Sequence, residues 1–342
     1  MIRNIIAKLI EEKNLTKSET QEVMTNIMSG KVTPSQIAGF LVALRTKGET
    51  VDEIAGCALA MRDAANSPVV KTDELVDNCG TGGDGKQSLN ISTAAAFVVA
   101  GAGFAVAKHG NRSISSRCGS ADVLEAMGVK VDCVISAVES CINEAGIGFM
   151  FAPNFHPAMK HAMPTRKELG IRTVFNILGP LSNPAKAKVQ LIGVFEKGLT
   201  KVIANVLSKM DQKAGMVVHS NGWDEITLDG PTWVSELKNK KVTSYQLKPK
   251  DFGLPKVSSS KLKGSDAREN SEMILNILDG KDHPAKHVIV ANAAALIKMA
   301  EGSYRNRSIT LKEAVKRAEE SLASKEAMRR YKKMAELSHM MS

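Results

Sequence analysis

Apolar residues recur at helical spacing through the first seventy positions of the chain. Ile2, Ile5, Ile6, Leu9 and Ile10 fall on one helical face. Three capping boxes follow: Thr16-Lys17-Ser18-Glu19, Thr33-Pro34-Ser35-Gln36 and Thr50-Val51-Asp52-Glu53. In each, the threonine oxygen accepts the backbone N–H three residues on, while the Glu or Gln reaches back to the cap. Pro34 takes a first helical position, where its missing N–H costs nothing, and Gly30 and Gly48 act as stop residues. The pattern predicts four consecutive helices.

Near Leu75 the texture changes to short apolar runs bounded by glycines and alternating with helical patterns, as βαβ units require. A strand is expected just before Asp77, and further candidates are Phe104–Ala107, Val189–Phe195, Gly215–His219 and His287–Val290. The longest apolar stretch, Ile91 to Ala107, is interrupted by Ser92 and Thr93 and is short for a membrane span; it reads as a buried helix running into a buried strand. Between Phe155 and Pro184 the pattern returns to helix and turn, punctuated by Pro157, Pro164, Pro180 and Pro184. Leu311, Ala314, Val315, Ala318 and Leu322 mark an amphipathic surface helix. The expected fold is therefore α/β: a small N-terminal helical domain (1–70) and a larger α/β domain (71–342) with a mostly parallel central sheet. The segment at about 155–185 is expected to pack back onto the helical domain.

Composition narrows the function classes. Hydrophobic residues at 43% and charged residues at 24% describe an ordinary globular chain, but only 4% are aromatic, too few for a surface that stacks single-stranded nucleic acid. A net charge of +10 fits a polyanionic partner, nucleic acid or a phosphate-rich small molecule. Cys57, Cys79, Cys118, Cys133 and Cys141 are odd in number and scattered, which argues against a disulfide framework or zinc site. The stretch Met1–Lys8 lacks the apolar core of a signal peptide, so a cytoplasmic location without a membrane anchor is expected.

Three loops carry chemistry. Asp77-Asn78-Cys79-Gly80-Thr81-Gly82-Gly83-Asp84-Gly85 places four glycines in six residues ahead of a helix opening near Asn90-Ile91-Ser92-Thr93. Such a loop lets backbone N–H groups approach a phosphate, and the helix N-terminus adds partial positive charge. It matches neither the P-loop nor the G-x-G-x-x-G pattern. Lys108-His109-Gly110-Asn111-Arg112-Ser113-Ile114-Ser115-Ser116, with Ser120 shortly after, follows an apolar strand, where open α/β sheets place ligands. Asp224-Glu225 follows the strand ending at His219; adjacent carboxylates can share a hard cation such as Mg²⁺, although such pairs are common on any surface.

Taken together, these segments resemble the signature set of the anthranilate phosphoribosyltransferase family, as does Pro164-Thr165-Arg166-Lys167-Glu168-Leu169-Gly170-Ile171-Arg172-Thr173-Val174-Phe175-Asn176. The match runs in order over nearly the whole chain. It implies transfer of phosphoribose from 5-phosphoribosyl 1-pyrophosphate to the amine of anthranilate, in tryptophan biosynthesis. It further implies that Gly80, Gly83, Asp84, Ser88, Asn90, Ile91, Ser92 and Thr93 hold the pyrophosphate and ribose. Lys108, His109, Gly110, Asn111, Arg112, Ser113, Ile114, Ser115, Ser116 and Ser120 would line the rest of that site. Gly80, Asn111 and Arg166 would meet anthranilate. Two Mg²⁺ ions are implied, one on Ser92 and Glu225 and the other on Asp224 and Glu225, along with a homodimer formed through the N-terminal helices and no nucleic-acid partner. His109 is a possible general base, better read as a residue shaping its loop. Two alternatives stand beside this. A pyrimidine-nucleoside phosphorylase would have no need of paired metal-binding carboxylates, and a non-catalytic nucleic-acid-binding relative has only the net charge in its favour.

Overall fold

A computed structural model describes residues 1–113 and 117–340 of the 342-residue chain. It opens with four helices, α1 (Ile2–Ile10), α2 (Lys17–Met28), α3 (Pro34–Lys47) and α4 (Val51–Asp63). All three expected capping boxes form, on Thr16, Thr33 and Thr50. Glu53 does more than cap. Its fully buried carboxylate accepts from Thr50 N at 2.7 Å and Leu15 N at 2.9 Å, and pairs with Lys47 at 3.0 Å. That pairing compensates the burial of a charge and ties α4 to the chain ahead of α2.

Seven strands form one sheet: β1 (Leu75–Asp77), β2 (Ala105–Gly110), β3 (Ile147–Phe151), β4 (Val189–Gly193), β5 (Ala214–His219), β6 (Thr232–Lys238) and β7 (Lys241–Leu247). Their order is β3-β2-β1-β4-β5-β6-β7. The first five are parallel, and β6 and β7 add an antiparallel hairpin that was not among the expected strands. β3, β4 and β5 are buried at every position, as strands covered on both faces should be. One face carries α5 (Ile91–Gly101) and the helix Pro284–Tyr304; the other carries the helix Leu199–Lys209 and the N-terminal helices. The chain moves from β1 toward β3 on one side and then resumes at β4 on the other. The topological switch point is therefore between β1 and β4, where such sheets leave a crevice at the strands' carboxyl ends.

His287–Val290 is not a strand but lies inside the helix Pro284–Tyr304, whose start is capped by His283 accepting from Ala285 N at 3.1 Å. The run reads the same in either state because the helix is buried on nearly all sides, which hides its 3.6-residue period. The apolar stretch from Ile91 divides as expected, with α5 to Gly101 and β2 from Ala105. Within 155–185, Phe175, Leu178 and Leu181 share a buried cluster with Phe40, Leu41 and Leu44 of α3. Among the described residues no helix is long and apolar enough to cross a membrane.

Candidate active site

Three loops meet over the switch point. The first, residues 78–90, leaves β1 and crosses to β4, with Thr81 N donating to Gly193 O at 2.8 Å. The loop after β5 is shaped by His219. Its Nδ1 lies 2.8 Å from Val194 O and its Nε2 accepts from Gly222 N at 3.0 Å, a pair of bonds that assigns the neutral Nδ1–H tautomer. This turn brings Asp224 against the first loop. Gly82 N donates to Asp224 Oδ2 at 2.9 Å, and Asp224 N reaches Asp84 Oδ2 at 3.4 Å. Glu225 Oε1 accepts from Ser92 N, in the first turn of α5, at 3.2 Å. Two glycines make the approach possible. A Cβ on Gly80 would come within 2.9 Å of Asp224 Oδ2, and one on Gly193 would overlap the Asp224 carbonyl.

The electrostatics here are unbalanced. Burial, then the neighbouring charge of Asp84, pushes the Asp224 carboxyl up to about 7. Burial, then Asp224, holds Glu225 well above the usual carboxylate range, with Lys108 offsetting only part. Carboxylates crowded in this way favour a proton or a cation. Among the described residues no group of three or more His, Cys, Asp or Glu side chains forms a ready metal cage. Two adjacent carboxylates are a donor set of the kind Mg²⁺ takes, its shell completed by water and phosphate oxygens.

The second loop leaves β2. Lys108 Nζ lies 3.2 Å from Asn78 Oδ1 and 3.4 Å from Asn78 O, and Asn78 Nδ2 donates to Ser92 O at 2.6 Å, so the two loops brace each other. Gly110 ends β2, and Ser120 Oγ donates to Asn111 O at 3.1 Å. Several expected ligands are engaged elsewhere. Arg112 is tied to Asp122 at 3.0 Å and Glu125 at 2.5 Å on the helix Ser120–Ala126, and Ser113 N donates to Asp122 Oδ2 at 3.3 Å. The Asn90 side chain bonds Cys118 O at 3.2 Å and Asn270 Nδ2 at 3.0 Å. Ser88 bridges to Lys263, Ile91 is buried, and the buried Thr93 hydroxyl has no partner among the described residues. Ile114, Ser115 and Ser116 lie outside the described residues.

The His109 ring belongs to the wall beneath the loops. Its Nδ1 is 3.0 Å from Gly179 O and its centroid 5.1 Å from that of His156. Burial, then His156, drives its affinity for a proton down to about 3, so the ring is neutral and a weak base. Arg166 is half-buried, with its guanidinium 4.8 Å over the Phe175 ring and Nη1 at 3.5 Å from Met163 Sδ. No carboxylate pairs with it among the described residues, so the bridge to Glu168 that its neighbourhood in sequence allows is not made. Burial alone lowers its proton affinity.

Two features escaped the sequence reading. Arg172 stacks 4.1 Å over Phe195 and donates from Nη2 to Gly83 O at 2.9 Å, fastening the segment after Leu169 to the loop that follows β1. Asp77, fully buried, accepts from His109 N at 3.3 Å, Asn183 Nδ2 at 2.9 Å and Gln190 Nε2 at 3.4 Å; Arg62 of α4 reaches Gln190 Oε1 at 3.5 Å and Leu181 O at 2.7 Å. A charged residue closing a buried strand signals such a network, but its partners lie far along the chain.

Comparison with known proteins gives the family. The model of a glycosyl transferase family α/β domain matches residues 72–328, and that of the same family's helical bundle domain matches residues 3–65. The anthranilate phosphoribosyltransferase of Acetivibrio thermocellus is 47% identical over 99% of this chain and 97% of its own. The crystal structure of the Thermus thermophilus enzyme of that name superposes with a TM-score of 0.91 at 41% identity, covering 98% of this chain and 99% of the other. The Saccharomyces cerevisiae enzyme, solved with PRPP and Mg and also with 4-fluoroanthranilate, is 27% identical with a TM-score of 0.87, covering 98% and 97%.

Proposed function

The chain belongs to the anthranilate phosphoribosyltransferase family, and we propose how its own residues carry out that family's reaction. It transfers the phosphoribosyl group of 5-phosphoribosyl 1-pyrophosphate to the amine of anthranilate and releases pyrophosphate, a step in tryptophan biosynthesis. Breaking the bond from ribose C1 to pyrophosphate builds positive charge on the sugar and negative charge on the leaving group. The backbone N–H groups of Gly80, Gly83 and Asp84, with the partial positive charge at the start of α5, meet that negative charge. Lys108, residues 110–113 and Ser120 close the other side of the phosphoribosyl site. Ser92 with Glu225 would hold one Mg²⁺, and Asp224 with Glu225 a second. Bound there, Mg²⁺ supplies Lewis-acid stabilisation of the leaving group.

Arg166 meets the anthranilate carboxylate, with Asn111 and Gly80 beside it. A half-buried guanidinium stacked on Phe175 and without a carboxylate of its own supports that role. The amine is uncharged at neutral pH and attacks without a strong base. His109, neutral and bonded to Gly179, shapes the wall. The observation that carries this reading is the joining of Gly82, Asp84 and Ser92 to Asp224 and Glu225 over the β1–β4 crevice. The test follows anthranilate fluorescence in the presence of 5-phosphoribosyl 1-pyrophosphate. Consumption should require both that substrate and Mg²⁺, and activity undiminished by chelation would overturn the metal assignment.

We divide the chain near residue 70, in the gap between the two matched family models. A homodimer through the N-terminal helices is supported by Ile10 and Val42, which are exposed at 71% and 37%. Sedimentation of the protein and of an Ile10→Asp variant checks it. The five cysteines are all free, which supports a reducing, cytoplasmic setting.

A further inference from the structure

The opposite end of the sheet holds a second concave site. A cavity of about 420 Å³ opens between the starts of β4 and β5, the β6–β7 turn and the end of the helix Pro284–Tyr304. Its size is that of a small-molecule pocket. Six cations line it: Lys188, Lys213, Lys238, Lys240, Lys298 and Arg307. The acids at its rim are already committed. Asp211 pairs with Lys188 at 2.8 Å, while Glu236 pairs with Lys298 at 3.6 Å and accepts from Tyr245 at 2.6 Å. Lys213, Lys238, Lys240 and Arg307 form no close carboxylate ion pair among the described residues, although the charge of Lys240 is felt by Asp211.

Three of these charges sit on ordered supports. Lys213 lies 4.9 Å over the Tyr304 ring, whose hydroxyl donates to Leu75 O at 2.6 Å. Lys238 closes the β6–β7 register opposite Lys241, and Lys240 stands in the turn at φ 61°, after Asn239 at φ 50°. A helix C-terminus attracts cations and accounts for those near Tyr304, but not for the hairpin lysines, which belong to no helix. Four like charges facing one cavity repel each other, and an anion bearing several charges relieves that repulsion at once.

We propose that this cleft is a binding site for a small phosphorylated anion, separate from the substrate loops. It lies about 15–20 Å from them, the length of β5 at the usual rise per residue. Calorimetric titration with inorganic tripolyphosphate in Mg²⁺-free buffer at physiological salt tests it. Wild type should show saturable binding near one per chain. Lys238→Glu/Arg307→Glu should weaken it at least tenfold while melting cooperatively and keeping turnover within twofold. Lys240→Glu, at the exposed tip of the turn, is the second variant should the double one fail to fold. Gly83→Val, in the substrate loop, should leave this binding unchanged. Undiminished affinity in the cleft variants, its loss in Gly83→Val, no saturable binding, or binding of duplex DNA but not of tripolyphosphate would each overturn the proposal.

Discussion

The two ends of the parallel strands differ in how they treat charge. At the carboxyl ends of β1, β4 and β5, backbone amides and a helix start face buried carboxylates, Lys108 is enclosed, and Arg112 is tied to acids. At the amino ends of β4 and β5 the side chains are lysines, and the acids present are neutralised. The difference teaches what each end can do. Preorganised amides beside carboxylates suit charge that develops during a reaction, whereas a cluster of side-chain cations suits an anion already formed.

The largest expected effect lies at the carboxyl ends. Glu225 bonds Ser92 N and is proposed to touch both ions, so Glu225→Ala should lower turnover by about 100-fold or more, the scale of losing a preorganised charge-stabilising group. Asp224→Ala should cost less. Steady-state rates across a Mg²⁺ titration decide this, and wild-type turnover at ordinary Mg²⁺ in the Glu225 variant would remove the two-ion assignment.

Next comes Arg166→Ala. A hydrogen-bonded charge is worth about 1.5–3 kcal/mol, so the Michaelis constant for anthranilate should rise by roughly 10- to 150-fold, with that for 5-phosphoribosyl 1-pyrophosphate little changed. Varying each substrate in turn checks the split. An effect confined to the phosphoribosyl substrate would take Arg166 out of the acceptor site.

Gly83 adopts φ 77°, where a β-branched side chain is strained, and its carbonyl anchors Arg172. Gly83→Val should weaken 5-phosphoribosyl 1-pyrophosphate binding by about tenfold, with strain of ~1–2 kcal/mol confined to the loop and the cooperative melt largely intact. Calorimetry reads the first and thermal melting the second.

The smallest effect is on acid stability. Burial depresses the folded-state proton affinities of His109 and His156, to about 3 and about 4, below the ordinary 6.5. The unfolded chain therefore binds more protons between pH 6.5 and 4. Stability is full above 6.5 and falls as the pH drops through that window. His109→Gln should flatten this limb by about 1–2 kcal/mol in denaturant melts at pH 5 relative to pH 7.5. An unchanged slope would mean the ring is protonated in the fold.

Much of this molecule was legible in its sequence because the signals were local. The capping boxes at Thr16, Thr33 and Thr50 act within four residues, and the glycine loop ahead of Ser92 announces a phosphate site through its own backbone. The resemblance suggested roles that spacing could not, such as the one proposed for Arg166. Tertiary structure alone decided the rest. It turned His287–Val290 into helix, since burial on every side erases the period that separates helix from strand. It drew Arg112 to Asp122 and Glu125, and turned the His109 ring toward Gly179. It joined Arg62, Asp77, Asn183 and Gln190 into one buried network, and gathered the lysines of four separate segments into a cleft. Contacts of that kind depend on which distant surfaces the sheet order brings together, and a linear pattern carries no record of that distance.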